Sequence, residues 1–342
     1  MRPRNHTPFP MLVFESHTVD DEPFHVVVSR MTLRLEHGKV LRLAREQTPL
    51  QTAEVFRGEP GASSPVFESD LAPYKPFTDV TVVGDACAPN GEALPSWETL
   101  VRVGPVEKRL RVTGPRWWVR EGEAWRLTDP EPVDRVPLCY ELAHGGVARR
   151  GDREEACASN PVGVGFARPW SVEDVDRFEA PRIESADAPL TDPFAEPAPV
   201  GYGPIGRAWA PRLALAGTYD EAWVKHTWPV LPKDFRSEYW NGAHPDLTVR
   251  GMLRSDADIA LEGLLPEGPL RCRLPGHGMF TLLRYESGEI EMRPMELDTV
   301  VIDLARRLVY VTSRLTVREE PAVRVAELRM HFNDPDQQEA PL

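Results

Sequence analysis

A chain of 342 residues with 53 acidic against 40 basic side chains, a net charge of −13, repels phosphate backbones and anionic headgroups, which excludes nucleic acid and membrane surfaces as partners. With 41% hydrophobic residues and no apolar run of membrane-spanning length, a soluble chain that stays in the cytoplasm and buries an ordinary core is expected. The 35 prolines, about twice the usual share, exclude long helices and favour loops and sheet edges.

Near the N-terminus the only apolar run, residues 11–14, is too short for the hydrophobic region of a signal peptide. Residues 24–35 place Val27, Met31, Leu33 and Leu35 on one side at period two, which predicts a half-buried strand. A turn over 36–39 and a return over 40–43 predict its hairpin partner. The same alternation recurs at 79–84, 99–103 and 106–112, the last two separated by Gly104 and Pro105. Trp117, Trp118 and Trp125 follow and are expected to pack against a sheet face. Residues 1–160 therefore read as an N-terminal β-rich domain.

Residues 161–212 hold nine prolines and sustain no hydrophobic period, as an extended connector would. Trp170, Phe178, Ile183, Tyr202, Ile205 and Trp209 make this stretch too apolar for a solvated linker, so it is expected to lie packed. Thr218 and Glu221 have the spacing of a capping box, which predicts a short helix stopped by Pro229 and Pro232, with Ala222, Trp223, His226 and Thr227 sharing a face. Beyond it, 258–264, 270–274, 279–285, 299–304, 308–317 and 323–330 read as strands, with 305–307 as the bend of a hairpin. Residues 213–342 thus form a C-terminal β-rich domain with one capped helix. The fold class expected is mainly β: two β-rich halves of sandwich- or barrel-like antiparallel sheets, joined by a packed proline-rich segment, with few short helices.

Chemistry-bearing motifs are sparse. Cys87, Cys139, Cys157 and Cys272 form no CxxC pair, so neither a zinc spacing nor a disulfide framework is legible, and mostly buried reduced thiols are expected. Residues 201–206 spell GxGxxG, but Pro204 removes an amide that a phosphate would need and Pro211 truncates any following helix. No nucleophile elbow, HExxH helix, P-loop or EF-hand pattern occurs, and no cofactor is expected. His226 near Asp220 and Glu221, or His244 with Asp246, has the composition of a general base with its orienting carboxylate, although nine histidines among 53 acids make chance proximity common. Gly276-His277-Gly278 reads as a turn exposing a histidine, and Cys157 lacks a histidine in local sequence. Residues 209–240 carry four tryptophans, two tyrosines and a phenylalanine, a density that suits a core cluster or an exposed aromatic patch. The partner-binding candidates are Trp209, Tyr219, Asp220, Trp223, Asp234, Phe235 and Trp240.

The runs PAPVGYGPIGRAWAPR and AGTYDEAW, the stretch 228–235 and LPEGPLRCRLPG resemble the domain-of-unknown-function family numbered 2169. Earlier in the chain SDLAPYKPFTDVTVVGDACAPNG, VRVG, KRLRVTGPRWW and NPVGVGFA have that family's order, so the resemblance extends from about residue 24 to 314. One departure is Ser313, where an aromatic residue is expected before Arg314. The resemblance implies an effector adaptor or chaperone of a type VI secretion system. Its implied partners are an effector toxin, the valine-glycine repeat spike protein and in some cases a spike-tip protein, and it implies no catalytic residue. The rival readings are a hydrolytic enzyme with an Asp/His site and a structural component of the secretion apparatus.

Overall fold

The run of valines flanked by Met31 and Leu33 forms the strand Pro23–Arg34, which is the spine of the central sheet. In the computed structural model, which describes residues 1–318 and 323–331, this strand pairs antiparallel with Met11–His17 on one side and Leu308–Arg318 on the other. The sheet continues through Glu296–Asp303, Thr78–Val83 and Thr248–Val249, all antiparallel except the parallel pair formed by Glu296–Asp303 and Thr78–Val83. A second sheet has the order Ile183–Ser185, Val106–Thr113, Ser96–Val103, Asp258–Glu262, Leu270–Arg273. A third has the order Arg2–Asn5, Val323–His331, Gly278–Tyr285, Ile290–Pro294. Only two short α-helices, Ala210–Leu213 and Glu221–His226, occur among the described residues, and none of the sheets there closes into a barrel.

The chain is therefore mainly β, as its alternation predicts. Its sheets, however, do not follow the division at residues 160 and 212: the central and second sheets each draw strands from both sides of that segment. One continuous apolar cluster includes Phe9, Val27, Val80, Val101, Leu261, Val311 and Leu328. Burying such positions from both ends of the chain in one place removes apolar surface that either end alone would leave in water.

Three local expectations need correction. Pro23–Arg34 is buried on both faces, with Val26, Val28, Arg30 and Thr32 as enclosed as Val27 and Leu33. Segment 47–75 covers the second face, where Gln47 Oε1 accepts from the Thr32 amide and Asp70 pairs with Arg30 at 2.5 Å. The expected partner 40–43 contributes only Arg42 and Leu43, because its turn is captured by Leu270–Arg273 through Gly38 N to Arg271 O and Leu41 N to Arg273 O. The helix Glu221–His226 is capped by Asp220, whose carboxylate accepts from the Trp223 amide at 2.8 Å; the Thr218 hydroxyl donates instead to Asp234.

The proline-rich stretch 161–212 is packed, as its apolar content predicts. Ile183 joins the second sheet opposite Val112, and Tyr202 is buried with its hydroxyl 2.8 Å from Thr99 Oγ1. Gly201 and Gly206 lie against rings: a Cβ on either would come within 2.8 Å of Tyr140 or 2.7 Å of Trp209. Close aromatic packing therefore accounts for the first and last of the three glycines of the GxGxxG string. Trp118 is buried with Ala180 and Leu190 in a separate small cluster, flanked by Trp125, whose ring meets Phe178 edge-on at 5.0 Å. All four cysteines are unbridged.

Candidate functional site

At one end of the central sheet the hairpin linking Met11–His17 to Pro23–Arg34 and the far end of Leu308–Arg318 meet the aromatic segment 231–240. Between them opens a groove of about 950 Å³. Phe24, Tyr74, Leu231, Phe235 and Trp240 supply its apolar lining, and Glu22 and Arg318 are charged residues of its wall. Phe235 lies 5.6 Å from Tyr239 and 5.8 Å from Trp240, and those two rings are 5.5 Å apart, so the three brace one another.

Behind the rings, buried Arg212 donates to the carbonyls of Ile205 and Tyr239 and pairs with Glu68 at 2.7 Å. Burial pushes the Glu68 carboxyl up, but Arg212, with Arg207 and Lys75, together outweigh it and hold the carboxyl below its ordinary value. The guanidiniums of Arg207 and Arg212 lie over the faces of Trp240 and Tyr239. On the other side Lys233 fastens the segment to the hairpin turn through Asp20 at 2.7 Å and the Val19 carbonyl at 2.8 Å.

Beside the groove the helix Glu221–His226 and its flanks expose large apolar side chains: Trp228 is 68% exposed, Val224 61%, Leu213 55% and Tyr219 52%. Single exposed apolar residues are ordinary, but four of this size in sixteen consecutive positions are an interface composition. Trp223 is half-buried, with its indole N–H donating to Val230 O at 2.9 Å and its ring 4.7 Å from Tyr219.

The seven sequence candidates separate by place. Phe235 and Trp240 line the groove, and Tyr219 and Trp223 stand on the helical rim. Asp220 caps the helix, and Asp234 accepts from the Thr218 amide and hydroxyl, bonds that hold its carboxyl below the ordinary value. Trp209 is buried in the core, edge-on to Tyr140 at 5.1 Å. Phe24, Tyr74 and Arg318 were not foreseen, since nothing in their local sequence places them beside residues 231–240.

The titratable clusters have a different character. His244 Nδ1 lies 3.3 Å from Asp246, and Lys108 Nζ approaches both, at 2.7 Å from the Asp246 carboxylate and 3.2 Å from the His244 ring. Burial and then the Lys108 ammonium push His244 down to about 4. His226 is exposed at its helix end, while Asp220 is engaged in the cap. His277 is half-buried and, with Met31, Met252, Met279 and Met295, lines a cavity of about 330 Å³ rather than standing exposed on a turn. On the covered face of the central sheet Arg30–Asp70, Lys75–Asp79 and Arg314–Asp298 pair at 2.5, 2.8 and 2.6 Å around a space of about 20 Å³, room for about one water. Among the described residues no group of three or more His, Cys, Asp or Glu is placed to hold a metal, and no helix is long and apolar enough to cross a membrane.

Comparison with protein families is decisive on one point: the model described as "Uncharacterized protein conserved in bacteria (DUF2169)" matches residues 20–314. The chain belongs to DUF2169. No curated protein and no solved structure matches it. In this DUF2169 protein the aromatic lining of the groove and the whole helical rim lie within the matched residues, whereas Thr316 and Arg318 at the groove wall lie just beyond them. So do Arg2–Asn5 and Val323–His331 of the third sheet.

Proposed function

We propose that this DUF2169 protein is an adaptor of a type VI secretion system that holds an effector toxin and presents it to the valine-glycine repeat spike protein. The observation that carries the reading is the pairing of an open, aromatic-lined groove with an exposed apolar rim at Tyr219, Val224 and Trp228. A braced aromatic floor presents large contact area with little side-chain entropy left to lose, and exposed tryptophan beside it is the composition of an interface hot spot. The resemblance in residues 201–235 points the same way.

A hydrolytic role is less well supported by the same geometry. His244, Asp246 and Lys108 are together, but none of them lines the groove or the methionine-rich cavity. The carboxylates around the 20 Å³ space are engaged by cations.

Purification of the tagged protein from its native cell, with and without the toxin gene encoded beside it, tests the proposal. Recovery of that toxin and the spike protein is expected, and Trp228→Ala should weaken toxin capture by about 2 kcal/mol, roughly 30-fold. Deleting the adaptor should abolish secretion of that toxin alone. Loss of all secretion would instead make the protein a structural part of the apparatus, and a protein recovered without either partner while the system is expressed would sink the adaptor reading.

A further inference from the structure

The third sheet ends in a strand that pairs on one side only: Ile290–Pro294 bonds to Gly278–Tyr285 and forms an edge of the sheet. Met295 N donates inward to Met279 O, and Tyr285 N donates to Glu289 O. Alternation between these two pairs turns the peptide groups of Ile290, Met292 and Pro294 outward. The side chains alternate as well. Met292 is 64% exposed and Ile290 51%, and with exposed Pro294 they stand on the outer face. Glu291 and Arg293 stand on the other face, paired with each other at 2.8 Å.

An open edge is a template for pairing, and chains that keep one free blunt it with lysine, proline or a bulge. This edge is blunted only at Pro294, which has no N–H. Its sequence is instead complementary to its own reverse. When the strand meets a second copy antiparallel across a two-fold axis at Met292, Met292 faces Met292, Ile290 faces Pro294, and Glu291 faces Arg293 in both directions. Outward peptide groups then lie opposite outward peptide groups. The two Met292 residues exchange both bonds, and each Ile290 N–H donates to a Pro294 carbonyl. An axis at Glu291 would set two carboxylates against each other, an axis at Arg293 two guanidiniums, and an axis at Ile290 would set Glu291 against Glu289. Charge therefore favours the Met292 register over its neighbours.

We infer that this edge is the interface of a homodimer, in which the third sheets of two copies join into one continuous sheet across Met292. On its outer face Ile290, Met292 and Pro294 of both copies come together beside half-buried Leu282 and Phe280, which removes apolar surface from water. On the opposite face the Glu291–Arg293 pairs of the two copies meet and close into a set of two carboxylates and two guanidiniums. None of these residues lines the aromatic groove, so the dimer and the adaptor reading stand or fall separately.

Sedimentation velocity of the full-length protein over a concentration series tests the inference. A dimer is expected, and Met292→Asp, at an exposed position, should weaken it by about tenfold or more with unchanged melting temperature. Glu291→Arg and Arg293→Glu should each weaken self-association by a similar factor, because each sets like charges against each other. Mixing those two variants should restore a dimer, since the exchanged charges then match across the axis. Register is read by crosslinking: a hydrogen-bonded pair holds its Cα atoms about 5.5 Å apart, so Met292→Cys should form an intermolecular disulfide under a mild oxidant. Ile290→Cys should not, because its two copies lie more than about 13 Å apart along the ladder. A protein that is monomeric at about 100 µM would overturn the assignment and leave the edge to a strand of a different protein. So would a dimer that Met292→Asp leaves intact, or a mixture of the two charge variants that stays monomeric.

Discussion

Glu327 shows how one side chain ties stability to pH. Its side chain is 2% exposed, and the hydrogen bond from Arg284, reinforced by Arg329, outweighs burial and holds its carboxyl down at about 2 against an ordinary 4.5. A depressed carboxyl contributes stability that is fully present above the unfolded value and is lost as pH falls through the folded one. Wild-type protein should therefore melt higher than Glu327→Gln at pH 7, with the gap closing between pH 4.5 and about 2. Thermal melts of both across that window check it; a gap independent of pH would mean that the variant acts through packing. Gly201 and Gly206 act at the same scale by a steric route, since each permits a ring contact that any side chain would block.

The helix Glu221–His226 has six residues, too few to persist in water without outside support. Its support is local: the Asp220 cap, the Tyr219–Trp223 ring contact and the Trp223 indole bond to Val230. An element so held opens independently of the core. Trp223→Ala is expected to reduce amide-exchange protection over residues 221–230 and to cut toxin capture, leaving the global melting temperature nearly unchanged. Marked global unfolding would place Trp223 among the core residues instead. Elsewhere the element scale followed the sequence closely. The predicted hairpin over 299–317 is the pair Glu296–Asp303 and Leu308–Arg318, and Arg307 takes the left-handed conformation its tight bend requires. Met11–His17 and Ile290–Pro294 were not foreseen, being short strands in which apolar residues are interrupted by charge or proline.

At the scale of the molecule the interleaving of strands dominates. Pro23–Arg34 has Leu308–Arg318 as its longest partner, and Thr78–Val83 lies between Glu296–Asp303 and Thr248–Val249. Residues 1–160 and 161–342 expressed apart should therefore each leave apolar strand faces in water. Neither is expected to give a cooperative melt, whereas co-expression should restore one. Circular dichroism and dispersed amide resonances distinguish the outcomes, and two independently folded fragments would support a domain boundary near residue 160.

What the sequence determined by itself was local: the period-two runs, the glycine and proline turns between them, the packed character of 161–212 and the aromatic wealth of 209–240. These depend on neighbours within a few positions, where side-chain alternation and backbone stereochemistry act. Tertiary structure alone decided which strands meet and which aromatics face water. Trp209 and Trp228 sit in the same composition, yet one closes on Tyr140 in the core and the other is 68% exposed. The groove likewise joins Phe24, Tyr74, Trp240 and Arg318, residues whose proximity rests on pairing between the two ends of the chain. Such pairing is selected by how completely apolar faces from distant segments can be buried together, a property of the assembled sheets rather than of any stretch within them.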